Sequence, residues 1–529
     1  MKFIQHQDRK QTSIFPVSVD ATISEDNEVR TIDFFVESLS LKDYGFDMDF
    51  IENGRPAYPP SDLLKLFIYG YLNKIRSSRD LEKECLRNIE VMWLLQMLKP
   101  DHNTISNFRM ENEKAIKKVF RATVQIARHF NLIGGKLIAG DSTKLRAQNS
   151  KKNNFNQSKI ERHIAYIDRK LEEYNNELLK ADGDLEKIKS EIEKHNQRKE
   201  NYKKLEQQLN ETGEAQISTS DTESRQMITR NNITEVAYNV QTTVDAKNNI
   251  PIDYKVTNNN DSKAMGNMLR RAKSILRTND FTALFDKGYH TGSELKIAQG
   301  LGIETIVAIP DISSSSMAPN PAYNVSGFKY DPKSDTYTCP QGHILSTNRK
   351  WYKKERRNSS TMVQQYKTKH CKTCPAINQC TKNTRGRGRV IDRSEYAPFI
   401  EQNKRNVEKN EHFYKRRQAI VEHPYGTIKR QWGFSYIITK QGKQRASADV
   451  GFMFIAYNLR RIINIIGQDV FKKYLKQLVL LFLQLFNNIR LKKLKYEQSI
   501  FFKIYLMINI VPSLNRFIFV QNIKINEGF

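Results

Sequence analysis

The chain has 529 residues and carries 86 Lys or Arg against 58 Asp or Glu, a formal net charge of +28. That length calls for two or more domains, and the charge favours a polyanionic partner, because clustered cations gain free energy by displacing counterions from phosphates. No apolar run reaches the ~20 residues that span a bilayer, and the opening MKFIQHQDRKQTSIF lacks the apolar stretch of a signal peptide, so no membrane role and a cytoplasmic location are expected.

Residues 1–130 read as an all-α amino-terminal domain. SDLLKLFIYGYL follows Pro59-Pro60 with apolar residues at helical spacing, SSRDLEKECL opens with a capping-box pattern from Ser77 to Asp80, and NTISNFRMENEKAIKKVF takes Thr104 as its N-cap. The spacing suits a helix-turn-helix-like DNA reader and a plain helical subdomain equally well. Cys85, on an apolar face, reads as packing.

GGKLIAGDSTKLRAQ then reads as a buried strand ending in Asp141. From Ile160 the apolar residues Ile160, Ile164, Ile167, Leu171, Tyr174 and Leu178 recur in alternating steps of four and three, which predicts a coiled-coil-type helical hairpin insert over 155–212 with a solvated Lys/Glu face. EVAYNVQTTVD and IPIDYKV alternate as strands joined by an AKNN turn, with Val236, Tyr238, Val240 and Val244 on one face. DSKAMGNMLRRAKSILR and TGSELKIAQGLG read as helices, FTALFDKGY and IETIVAIPD as strands, so 131–311 predicts a mixed α/β sheet. Residues 312–399 are polar, basic and loop-rich, 400–466 return to helices that complete the core, and the tail 467–529 has patchy periodicity and no assigned role.

Asp141 and Asp286 each follow an apolar strand, and in open α/β sheets ligands bind beyond the carboxyl ends of strands. Gly288 permits a tight turn directly after the second acid. Carboxylates without His or Cys suit Mg²⁺ or Mn²⁺, and two such ions about 3.5–4 Å apart can drive an in-line phosphoryl displacement. Between Arg349 and Arg445 lie 25 Lys or Arg and 7 Asp or Glu, and within YKRRQAIVEHPYGTIKRQW the one carboxylate is Glu422. It suits a third metal ligand, with Arg416, Arg417, Lys429 and Arg430 on phosphates. The alternative is a helix surface acid paired with Arg417 or a neighbour. Pro424 predicts a kink or a helix boundary beside it.

AGDSTKLRA, LFDKGYH and RRQAIVEHPYGTIKRQWGF, in that order, resemble the three acid motifs of DDE insertion-sequence transposases, and EDNEVRTIDFFVESL with RPAYPPSDLLKLFIYGYLNKIRSSRDLEKEC resembles their amino-terminal region. The resemblance runs from about residue 3 to about 465. It implies an RNase H-like catalytic core interrupted before the glutamate, Asp141, Asp286 and Glu422 as a triad for two Mg²⁺ or Mn²⁺ ions, and Gly288, Tyr289 and Tyr414 in supporting positions. It further implies transposon inverted repeats and target DNA as partners, with at least a dimer on DNA. The related signature Y-x2-R-x3-E-x6-K is matched in type by Tyr414, Arg417, Glu422 and Lys429, but four residues rather than three separate Arg417 from Glu422. A nuclease without strand transfer and a non-catalytic DNA-binding descendant are the rival expectations.

Cys339, Cys371, Cys374 and Cys380 fall in the 312–399 insertion, and Cys371-x2-Cys374 is a zinc-knuckle spacing. A structural Zn²⁺ site, with His343 or His370 as substitute ligands, and unligated reduced thiols fit this pattern equally well. Trp351 reads as packing within the insertion, and GRGRV at 386–390 as a phosphate-binding loop.

Overall fold

The computed structural model describes residues 18–48, 57–180, 185–229, 233–312, 316–356, 359–382 and 388–480. Most of the tail and the start of GRGRV lie outside these residues. The chain divides into two units, one from residues 1–108 and from Arg460 onward, the other from Arg109 to Leu459.

The first unit is helical: α1 (Glu28–Glu37), α2 (Leu41–Tyr44), α3 (Pro60–Leu72), α4 (Ser78–Arg87), α5 (Ile89–Leu94) and most of α6 (His102–Glu111). Pro60 sits at the start of α3, where its missing N–H costs nothing. Every residue from Leu63 to Leu72 is buried, so α3 is the helix around which α1 and α5 pack. The Lys65 ammonium, buried with it, reaches Asp33 and Glu37 on α1 at 2.8 and 2.6 Å. Ser77 caps α4 as expected, accepting the Asp80 N–H. The cap of α6 is Asp101 rather than Thr104: its carboxylate accepts the Thr104 N–H at 2.8 Å, and the helix begins three residues earlier, at His102.

The second unit opens with α7 (Glu113–His129) and β1 (Leu137–Arg146). A two-residue ladder of β2 (Asn154–Phe155) and β3 (Ile217–Ser218) closes the base of the predicted hairpin, formed by α8 (Gln157–Lys180) and α9 (Leu185–Thr212). There follow β4 (Arg225–Ile228), β5 (Thr234–Asp245), β6 (Ile250–Thr257), α10 (Met265–Leu276), β7 (Thr282–Phe285), α11 (Gly292–Gly300) and β8 (Glu304–Val307). β5, β1, β7 and β8 are neighbours in that order, with β4 and β6 both pairing β5. β1, β7 and β8 are parallel and β5 runs against β1. The AKNN turn joins β5 to β6 where expected. β5, expected to bury one face, buries both, including the polar Asn239, Gln241 and Thr243.

The stretch read as loop-rich holds a second six-stranded sheet: β9 (Lys329–Asp331), β10 (Thr336–Thr338), β11 (Ile344–Thr347), β12 (Tyr352–Arg356), β13 (Ser359–Lys367) and, after the short α12 (Ile377–Cys380), β14 (Ile391–Ser394). It is antiparallel throughout. Most of its strands are too short to show a period, and its core is aromatic, built on Tyr323, Phe328, Tyr337 and Tyr366. Trp351, expected inside, is 49% exposed.

α13 (Ala397–Lys409) and α14 (Glu411–Tyr425) return the chain to the first sheet, where α14 lies over β5, β1 and β7. Pro424 stays within α14, but the helix ends one residue later and passes into a π-helical turn, Gly426–Gln431. α15 (Lys443–Ile466) buries most of its length. No single helix among the described residues is long and apolar enough to cross a membrane.

Candidate active site

The site is built on strand register. Ala139, Val244, Leu284 and Ile306, one from each of four neighbouring strands, pack against Ile420 and Val421 of α14. Side chains two residues apart on a strand share a face, so Asp141 and Asp286, each two past one of those apolar residues, face α14 as well. The last parallel pair is Gly140 with Phe285. The two acids therefore lie side by side where β7 stops. Gly140 is dictated by close approach: a Cβ there would sit 2.0 Å from the Phe285 ring. Gly288 is not. It lies in a 3-10 turn, where a Cβ would meet only the Asp261 Cβ at 3.9 Å, so neither space nor backbone demands glycine.

Burial pushes the Asp141 carboxyl up, and Arg417, then the Ser142 N–H, pull it back down, while the charge of Asp286 pushes it up again. Arg417 Nη1 donates to Asp141 Oδ2 at 3.1 Å, with side-chain exposures of 13% and 24%. The Arg417 Nε is buried without a hydrogen-bond partner among the described residues, and the guanidinium lies over the Tyr414 ring. Tyr289 and Tyr425 are phenols that burial pushes far up, with the charges of Asp141 and Asp261 adding to it. Both are neutral, and the Tyr425 hydroxyl donates to the Asp141 carbonyl at 3.4 Å.

Glu422 stands apart from this pair. It is exposed and accepts a hydrogen bond from Gln418 Nε2 at 2.8 Å. Of the two partners expected for a surface acid, Arg417 is engaged with Asp141, and the neighbour Gln418 is the one that Glu422 meets. The extra residue between Arg417 and Glu422 explains the geometry. Three intervening residues would put the acid at position 421, whose side chain is 1% exposed against the sheet. The fourth turns Glu422 about 100° further round the helix, into an open cleft of about 730 Å³ that it lines with Lys144, Arg146, Lys429 and Arg430. Lys429 is docked, donating to Thr143 Oγ1 at 3.0 Å and the Lys144 carbonyl at 3.2 Å. Arg416 and Arg430 are exposed.

Sequence reasoning missed Asp261. Its carboxylate accepts from Ser142 Oγ at 2.8 Å, Lys144 Nζ at 3.0 Å and Asn239 Nδ2 at 2.7 Å, tying β1 and β5 together beside Asp141. The available signal was its place, four residues past the end of β6, an acid shortly after a strand as Asp286 is after β7.

In the second sheet all four cysteines are free and surround one enclosed cavity of about 20 Å³, with His343 and Arg389. Burial pushes the Cys380 thiol up, Arg389 lowers it, and the other three cysteines raise it. The His343 and His370 rings stack at 5.0 Å. Among the described residues no three His, Cys, Asp or Glu side chains are grouped, as they stand, to hold a metal ion. In donor type, Asp141 with Asp286 suits a hard divalent cation and the four thiols suit zinc.

Residues 17–111 match a family described as a transposase domain (DUF772), and residues 338–463 match one described as a transposase DDE domain. No curated protein matches the chain. One solved structure, a cryo-EM structure of piggyBac transposase synaptic complex with hairpin DNA, is similar over 88% of this chain and 81% of that chain, at 9% identity and a TM-score of 0.24. The first matched segment spans α1 to α6, the second carries the cysteines and Glu422, and together they support a DDE-type transposase.

Proposed function

We propose that the chain binds the terminal inverted repeats of an insertion sequence, cuts the DNA there and joins the freed ends to target DNA. The observation that carries this reading is the side-by-side placement of Asp141 and Asp286 on parallel strands beneath α14, next to a cleft where Glu422 stands among four cations. The sheet order, with β5 antiparallel at the second position, suits an RNase H-like core. Mg²⁺ or Mn²⁺ at this site would supply activation of an attacking hydroxyl and stabilisation of the leaving oxygen. Asp141 and Asp286 would hold it, with Glu422 as the third ligand. Arg417 orients the Asp141 carboxylate, and Lys144, Arg146 and Arg430 take phosphates. Joining two ends requires at least a dimer on DNA. The amino-terminal helical unit is assigned to DNA binding, and the four thiols to a structural Zn²⁺, for which elemental analysis of protein purified without chelator should find about one zinc per chain. No zinc would leave free thiols.

The test is metal-dependent cleavage of DNA carrying the element's ends, by the parent protein and by Asp141→Ala, Asp286→Ala and Glu422→Ala. Cleavage lost in all three while binding persists supports the triad. The bond from Gln418 to Glu422 favours one rival, a DNA-binding protein without catalysis. Binding without any cleavage by the folded parent protein would establish it, and cleavage without joining would establish a nuclease.

A further inference from the structure

The helical hairpin carries two kinds of surface. At three places on it a cation is matched by an acid: Lys170 with Glu173, Lys194 with Glu191, and Lys199 on α9 with Asp168 on α8. Near its base the matching stops. There an open cleft of about 500 Å³ is lined by Lys159, Arg162, His163, Tyr166 and Arg198, with no acid among them. None of these five has an ion-pair partner among the described residues, and Arg162 and Arg198, from opposite helices, are exposed.

The cleft is held in shape from beneath. Lys159 Nζ donates to the carbonyls of Lys151, Lys152 and Asn154 at 2.8–3.0 Å and lies over the Phe155 ring, pinning the first turn of α8 to the β2 strand. His163 stacks on Tyr202 of α9 at 4.9 Å with the ring planes nearly parallel. Burial and then the charges of Lys159, Arg198 and Arg162 hold its imidazole below the usual range, so the cations there are close enough to be felt as one field. Lys151 and Lys152 are exposed just before β2. Lys159 and His163 thus belong to the scaffold, and on it Arg162 and Arg198, with the exposed Tyr166, make a surface whose two arginines have no ion-pair partner among the described residues.

We propose that this cleft binds the phosphodiester backbone of DNA, with Arg162 and Arg198 each on a phosphate and Tyr166 beside the sugar-base edge. The hairpin would then be a DNA-gripping arm separate from the acid site, with the cleft near its base as the grip. The proposal rests on the DNA-binding reading above.

The experiment is the salt dependence of binding of the full-length chain to a short labelled duplex lacking the element's ends, followed by fluorescence anisotropy from about 50 to about 200 mM KCl. Each lost phosphate contact lowers the slope of log K against log salt by about 0.9, so Arg162→Ala with Arg198→Ala should reduce it by about 2. The control pair Lys170→Ala with Lys194→Ala, whose charges are already matched, should leave it unchanged. Both pairs lie on the surface, and matching thermal unfolding curves would verify that folding is intact. An unchanged slope in the Arg162/Arg198 variant overturns the proposal. So does an unchanged duplex slope with lost binding to single-stranded RNA, which would make RNA the partner. A parent chain that binds no duplex overturns the DNA-binding reading itself, a result separable from the other two.

Discussion

The two sheets of the second unit solve the same problem with different materials. The first packs aliphatic side chains of Ala139, Val244, Leu284 and Ile306 under one helix, so its strands are held in a register that puts two acids side by side. The second packs tyrosines whose hydroxyls need partners: Tyr366 and Tyr330 both donate to Asp335, and Arg393 stacks on Tyr330 at 3.6 Å and donates to Tyr337 and to Glu401. Aliphatic packing is indifferent to polar partners and strict about volume. Aromatic packing with hydroxyls is held by polar contacts that single substitutions remove one at a time.

Substitutions that separate the two kinds of packing follow from this. Gly140→Ala drives a Cβ into the Phe285 ring and should cost about 3 kcal/mol or prevent folding, read from urea unfolding. Next, Arg417→Met leaves the Asp141 carboxylate without its cation. A fully buried pair broken this way costs about 3–5 kcal/mol, and the partial exposure of both side chains discounts this to about 2 kcal/mol. The sign with pH is fixed. Burial already raises the folded Asp141 pKa, and losing Arg417 raises it further, so the protonated acid favours the fold. That stability is fully present below the unfolded carboxylate pKa of about 4 and is lost as pH rises through the folded value. The variant should therefore lag the parent most near neutrality and recover in mild acid. In the aromatic sheet, Tyr366→Phe removes one donor while Asp335 keeps Tyr330, so about 1 kcal/mol is expected in the same assay. Smallest in stability is Glu422→Gln, exposed and, among the described residues, bonded to Gln418 across one helical turn, at under about 0.5 kcal/mol. The same substitution should abolish cleavage at the element's ends, so a loss of both fold and cleavage would contradict the assignment.

How much of this was legible in the sequence follows the same division. Apolar segments running into an acid, the AKNN turn and the heptad steps from Ile160 are local patterns, and the turn, the hairpin and the strand before Asp286 lie where they predict, whereas β1 does not end at Asp141 but runs on to Arg146 because β5 continues to pair with it. The second sheet was not legible, because three- to five-residue strands make up most of it and its core is assembled from residues that also occur in loops. Asp261 hid in NNNDSK, a polar run indistinguishable from a turn until the fold brings it against Ser142 and Asn239. The odd spacing between Arg417 and Glu422 was visible, but its meaning depended on knowing that position 421 faces the sheet.

Past Gly140, β1 outruns β7 and, among the described residues, keeps a ladder with β5 and a single bridge from Arg146 to Tyr436. Such a bare flank invites a second copy of the chain to zip onto it. Here it is sealed from within: Lys429 reaches the Lys144 carbonyl, the Arg146 N–H donates to the Ser435 carbonyl, and the Arg146 carbonyl accepts from Ile437. The segment that follows Glu422 is thus also a guard against self-association. Loosening it should show first as clumping of otherwise well-folded protein.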